Sequence, residues 1–133
     1  MAYRKLIPSI LAASLLAAGV PAGAESKAER GEAELAEMLE GRTAGEAKRC
    51  LSDFERRNLR VIDGTALVFE SGGTLYVNRP AGARFLDWSD VPVFKIWGGQ
   101  LCEKDTVELR DSASLMPGPV LFMGEFVPYR RTG

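Results

Sequence analysis

Residues 59–78, L-R-V-I-D-G-T-A-L-V-F-E-S-G-G-T-L-Y-V-N, decide the fold class. Leu59 to Ile62, Thr65 to Phe69 and Thr74 to Asn78 are short runs rich in β-branched and aromatic residues, the types that fit a pleated surface. Asp63-Gly64 between the first two runs is the two-residue type I′ hairpin signal. Ser71-Gly72-Gly73 turns the chain into the third run. Three strands joined by tight turns predict an antiparallel meander.

Toward the C-terminus the pattern continues. Arg79-Pro80-Ala81-Gly82 breaks it, and Val91 to Trp97 forms a further strand with Pro92 near its start, ended by Gly98-Gly99. Thr106 to Arg110 alternates, with Val107 and Leu109 on one face, as a strand with one wet face does. A last run extends from Val120 through Phe122 to Val127, where Gly124 marks a bulge or a close backbone approach, and Pro128 with the basic end closes the domain. About six short strands over 42–133 predict a mainly β domain, a small antiparallel barrel or sandwich. Its expected core is Leu67, Phe69, Leu75, Val77, Val93, Val107, Leu109, Phe122 and Phe126.

Before it, residues 25–41 read as one N-terminal helix. Ser26 and Glu29 have capping-box spacing, Leu35, Met38 and Leu39 share a face, and Gly41 supplies a left-handed stop. The apolar stripe is narrow and Gly31 weakens its middle, so the helix is expected to pack lightly on the domain, serve as a leader, or bind a partner helix.

Residues 1–24 predict export. Arg4 and Lys5 precede an uncharged apolar run from Leu6 to Val20, and Ala22-Gly23-Ala24 is the small-x-small pattern of a signal peptidase site. Cleavage would fall between Ala24 and Glu25. The competing reading is an uncleaved anchor, but the run counts 15 residues with Pro8 inside it, against the roughly 20 that a spanning helix needs. Cleavage leaves 109 of the 133 residues, the size of one ordinary domain, with 15 basic residues against 18 acidic and a net charge of −3. That balance argues against nucleic acid as a partner. No later stretch is long and apolar enough to span a bilayer. The one local basic cluster, Arg56-Arg57 with Arg60, reads as a solvated face.

Cys50 and Cys102 are the only cysteines. An isolated pair in an oxidising compartment predicts a disulfide, which would close a loop of about 50 residues and contribute about 4 kcal/mol by chain entropy. A metal site and a redox pair are the alternatives. Zinc draws four ligands from Cys and His, the chain has no His, and a redox pair would be spaced C-x-x-C.

The absence of histidine removes Ser-His-Asp and Cys-His nucleophile systems together with imidazole metal sites. Carboxylate, Lys or Tyr chemistry remains, with the acid pairs Asp53 and Glu55, Asp87 and Asp90, and Glu103 and Asp105 lying in polar stretches where acids normally face water. No phosphate-cradling glycine motif occurs. No cofactor is implied, and no catalytic or metal-binding residue is assigned. Trp88, Trp97, Tyr76 and Tyr129 could form a sugar- or peptide-binding surface, though aromatics at strand positions more often pack in the core. Trp88 in Asp87-Trp88-Ser89-Asp90 reads as an exposed loop residue and is the one candidate contact.

From Gly41 to Tyr129 the chain carries Gly41-Arg42-Thr43-Ala44-Gly45-Glu46, Cys50, Arg60-Val61-Ile62-Asp63-Gly64-Thr65-Ala66 and Leu75-Tyr76-Val77-Asn78-Arg79-Pro80. Gln100-Leu101-Cys102-Glu103-Lys104-Asp105 and Gly124-Glu125-Phe126-Val127-Pro128-Tyr129 follow. As a set these resemble a family of short exported proteins of Gram-negative bacteria, a domain of unknown function. The resemblance implies export and a compact domain, and no activity, ligand or catalytic residue. Some relatives carry two further cysteines, near the positions of Ala81 to Arg84 and Val120 to Met123. Loss of that whole pair here would leave Cys50 with Cys102.

The expectation for function is therefore an exported β-domain, periplasmic or secreted, that binds a cell-envelope component or a protein partner without catalysis, or has a structural role there. The alternatives are a carboxylate hydrolase of envelope polysaccharide using Asp87, Asp90, Glu103 or Asp105, and an inhibitor of a secreted enzyme presenting the 79–90 loop.

Overall fold

A computed structural model describes residues 25–132, so the expected signal segment and its cleavage site after Ala24 lie outside the described residues. Helix α1 spans Lys27–Met38, capped by Ser26 Oγ, which accepts from the Glu29 N–H at 3.0 Å. Ten strands follow among the described residues. They are β1 Arg42–Ala44, β2 Cys50–Leu51, β3 Asn58–Ile62, β4 Ala66–Ser71, β5 Thr74–Asn78, β6 Val91–Phe94, β7 Leu101–Cys102, β8 Thr106–Arg110, β9 Pro117–Phe122 and β10 Phe126–Arg131.

Every pairing is antiparallel. A five-stranded sheet runs β1-β10-β5-β4-β3, a three-stranded sheet runs β6-β8-β9, and β2 with β7 forms a two-stranded ribbon. The chain is mainly β with one preceding helix, as its sequence predicts. Among the described residues no sheet closes into a barrel; two open sheets share a core instead. The strands beyond the expected six are mostly two or three residues long, too short to carry a period.

The meander forms as expected, but its turns trade roles. Ile62 pairs with Ala66, so the first loop has three residues, Asp63 to Thr65, and only Gly64 has positive φ. A type I′ turn needs positive φ at both central residues. Gly72 and Gly73, at φ 58° and 79° between the partners Ser71 and Thr74, meet that condition instead.

Strands β4 and β5 are buried on both faces, which is why they read as continuous apolar runs. Leu67, Phe69 and Tyr76 face the small sheet and meet Val107, Leu109, Leu121 and Phe126. Ala66, Val68, Leu75 and Val77 face α1 and pack with Ile62 and Leu35. The helix is not lightly packed. Leu35 is 1% exposed, and Gly31 is buried where a Cβ would lie 2.0 Å from Thr65 Oγ1 and 2.2 Å from the Asp63 carbonyl. Glycine at 31 is the condition for close approach, at the expense of helix propensity.

Two expected core residues point outward. Val93 and Phe122 are 37% and 54% exposed, while their neighbours Phe94 and Leu121 turn in. Phe94 lies 6.0 Å from Phe69, ring centre to ring centre. Both stretches, Val91-Pro92-Val93-Phe94 and Val120-Leu121-Phe122-Met123, are apolar at nearly every position, so no alternation sets the phase, and a one-residue error exchanges the faces.

The expected last strand is two strands in different sheets, divided at Gly124. There a Cβ would lie 2.7 Å from the Arg79 carbonyl, the close backbone approach that Gly124 signalled. Fully buried Asn78 clamps the crossing: its Nδ2 donates to the Gly124 carbonyl at 2.7 Å and its Oδ1 accepts from the Gly124 N–H at 2.9 Å. Asn78→Ala is expected to cost about 2 kcal/mol in urea denaturation, because both peptide groups lose their partner. A cost below about 0.5 kcal/mol would show that the crossing holds without the clamp. Pro128 does not close the domain but sits inside β10. Its carbonyl accepts from Gly45 N, so the N–H it lacks would have pointed past the end of β1.

Candidate functional site

The edge of the large sheet and the edge of the small sheet flank an open groove of about 560 Å³. Leu59 and Val61 of β3 and Pro92 of β6 form its apolar wall, and Trp88 stands beside them. Glu34 and Arg60 line the groove on the helix side, joined at 2.6 Å. Asp63 and Asp90 complete it.

Trp88 is placed by its neighbours rather than by its own packing. Leu86, fully buried, anchors the loop, and its carbonyl accepts from Gly64 N at 2.9 Å. Trp88 N donates to Asp63 Oδ1 at 2.7 Å. Asp87 Oδ1 accepts from Ser89 N and Ser89 Oγ at 2.9 and 2.6 Å, and Asp87 Oδ2 accepts from Lys27 Nζ at 3.0 Å. The backbone is therefore fixed while the indole is 74% exposed. Trp88, the candidate contact named from sequence, is exposed, as its polar neighbours predict.

The other aromatics do not gather with it. Tyr76 is in the core, Tyr129 packs partly buried on the helix side, and Trp97 is 76% exposed beside the Gly98-Gly99 turn, not at a packed strand position. The 79–90 segment is not a protruding loop. Ala81 bridges to Phe122, Ala83–Phe85 makes a 3₁₀ turn and Leu86 is buried, leaving Phe85 and Trp88 as its exposed large apolar side chains.

Of the four acids named for hydrolysis, only Asp90 lines the groove. Asp87 is held by Ser89 and Lys27, Glu103 by Arg49 at 2.7 Å, and Asp105 accepts from Cys102 N at 2.7 Å. Asp53 pairs with Arg56 and Arg57, which disperses the basic cluster into ion pairs. Glu34 and Asp63 were not singled out from sequence. They come from the helix and from a hairpin turn 29 positions on, and no local spacing links them. Among the described residues no group of three His, Cys, Asp or Glu side chains is placed to hold a metal, and no helix is long and apolar enough to cross a membrane.

Cys50 and Cys102 are partners across the β2–β7 ribbon, with sulfurs 2.08 Å apart and Cα atoms at 3.9 Å. Leu51 and Leu101, paired beside them, are fully buried in the shared core.

Glu32, Glu55, Asp87 and Asp111 are held below the ordinary carboxylate range, Asp87 and Glu55 strongly so. At Asp87 the Ser89 hydroxyl, the Ser89 N–H and the Lys27 ammonium bring the pKa down to about 2. At Glu55 burial alone would raise it, but the Lys48 ammonium at 2.6 Å and the Ser52 N–H at 3.0 Å outweigh burial and bring it to about 2. Both pKa values are lower folded than unfolded. Their contribution is thus complete above about pH 5 and is lost as pH falls toward 2. Glu55→Gln is expected to lower stability by about 2 kcal/mol at pH 7 and to flatten its dependence on pH between 5 and 2, read from urea melts across that range. An unchanged pH slope would count against this assignment.

In comparisons with known proteins, no family model, no curated protein and no solved structure matches the chain.

Proposed function

We propose that this chain is a non-enzymatic binding domain of the cell envelope, periplasmic or secreted, like the exported family it resembles, and that its ligand sits in the groove against Trp88. The observation that carries the reading is the exposed indole on a fixed backbone. A large aromatic held out of the core by four loop hydrogen bonds has no packing role. Aromatic anchors beside a polar rim are the usual centre of binding energy. The cysteine pair at bonding distance supports an oxidising destination. Hydrolysis has less support: of the acids named for it only Asp90 lines the groove, and the other two groove carboxyls, Asp63 and Glu34, are engaged by Trp88 N and Arg60.

Trp88→Ala should leave stability within about 0.5 kcal/mol of the parent, as surface changes do, and abolish retention of envelope material by the immobilised protein. Trp97→Ala, outside the groove, is the matched control. Equal retention by the parent and Trp88→Ala would remove the groove from consideration.

A further inference from the structure

We propose that the open edge of β3 takes up an extended basic peptide as an added strand, lying in the Trp88 groove. This rests on the groove being the binding site and names what occupies it.

An exposed strand edge is a template for pairing, and proteins protect such edges with short strands, prolines and bulges. The two sheets have four edges: β1, β3, β6 and β9. Three are protected. Strand β1 has three residues, β6 carries Pro92, and β9 carries Pro117 and Pro119 with a register shift opposite them. Among the described residues, strand β3 alone has none of these protections. Asn58-Leu59-Arg60-Val61-Ile62 contains no proline or lysine, pairs with β4 without a shift, and has its one charged side chain held back on the helix by Glu34. The unprotected edge is also the one that borders the groove.

The direction of its free groups follows from the hairpin. Ile62 O accepts from Thr65 N across the turn, so Ile62, Arg60 and Asn58 address β4, and the N–H and C=O groups of Leu59 and Val61 address the groove. Five residues offer about 16 Å of edge. Side chains on one face of an added strand would lie against Leu59, Val61, Pro92 and the Trp88 indole, which selects apolar residues at alternate positions.

Charge selects the rest. Arg60 neutralises Glu34, but Asp63 and Asp90 form no ion pair among the described residues. Lysine or arginine between the apolar positions would complement them. A second copy of this chain, pairing edge to edge about a two-fold axis, would instead bring the same acidic rim onto itself. An alternating apolar and basic segment is therefore the fitting occupant, bound by strand addition.

The probe is a nine-residue peptide alternating valine and lysine, acetylated and amidated, titrated into the Trp97→Phe protein so that Trp88 is the sole indole. A saturable change in Trp88 emission is expected, with amide exchange at Leu59 and Val61 slowed at least tenfold. Replacing lysine by glutamate should weaken binding at least tenfold. N-methylation at valines or at lysines should impair binding in one version and spare it in the other, because a strand pairs through alternate residues. A Trp88 response without protection of Leu59 and Val61 would overturn strand addition and leave the groove intact. No Trp88 response would overturn the basic-peptide occupant, while envelope retention lost in Trp88→Ala would still support the groove. Protection of those amides without peptide, together with a dimer in sedimentation, would overturn the proposal in favour of a second copy.

Discussion

Gly31→Leu is expected to detach the helix from the sheet and to cost at least about 4 kcal/mol. Propensity alone predicts the opposite sign, since glycine inside a helix is about 1 kcal/mol worse than alanine. Even alanine meets Thr65 Oγ1 at 2.0 Å and the Asp63 carbonyl at 2.2 Å. Thr65 is buried and its hydroxyl donates to that same carbonyl at 2.9 Å, so turning the side chain away would break a bond and leave the carbonyl in place. Gly31→Ala should therefore lose about 2 kcal/mol net, within the range for overpacking. Leucine forces the helix off, uncovering Leu35, Ile62, Val68, Leu75 and Val77, each contributing about 1.5–3 kcal/mol when fully buried. Urea melts and helical circular dichroism would register both steps. Gly31→Ala as stable as the parent, or more so, would show that the helix is not seated as described. The groove would suffer with it, because α1 supplies Glu34 to the groove and Lys27 to the Asp87 loop.

Removal of the Cys50–Cys102 bond has an expected effect of similar size. The bond spans 52 positions, and the chain-entropy model assigns about 4 kcal/mol to a loop of that length. Its place in the fold gives a second reason. A ribbon of two residues in each strand is not stable alone, yet it delivers Leu51 and Leu101 to the shared core. Without the covalent tie, ordering the ribbon would fall to those two side chains. Cys50→Ala with Cys102→Ala and the parent in reductant should show the same loss in urea melts. The parent, unfolded without reductant, should expose no thiol to a labelling reagent. Two labelled thiols, or a loss below about 1 kcal/mol, would contradict the structural role.

How much of this was legible depends on how local each cause is. The meander was legible because β4 and β5 announce themselves by β-forming runs, and both turns by glycine. The turn types were not, since the first loop is bound by the Thr65 hydroxyl and by the carbonyl of Leu86, which only the fold brings beside it. Trp88 was legible as exposed because Asp87, Ser89 and Asp90 surround it with polar residues. Its partners in the groove were not, because Glu34, Asp63 and Pro92 come from separate elements.

The same contrast sets the limits of the whole reading. Composition and pattern by themselves determined a mainly β chain with a capped helix before it, one possible cysteine pair, and no imidazole chemistry. These follow from residue type and from periods of two to four residues. Only the tertiary structure decided which face of β6 and β9 is buried, why position 31 must be glycine, and which sheet edge is left open. Each of those depends on what lies within a few ångströms across the fold, and the atoms concerned belong to residues tens of positions apart.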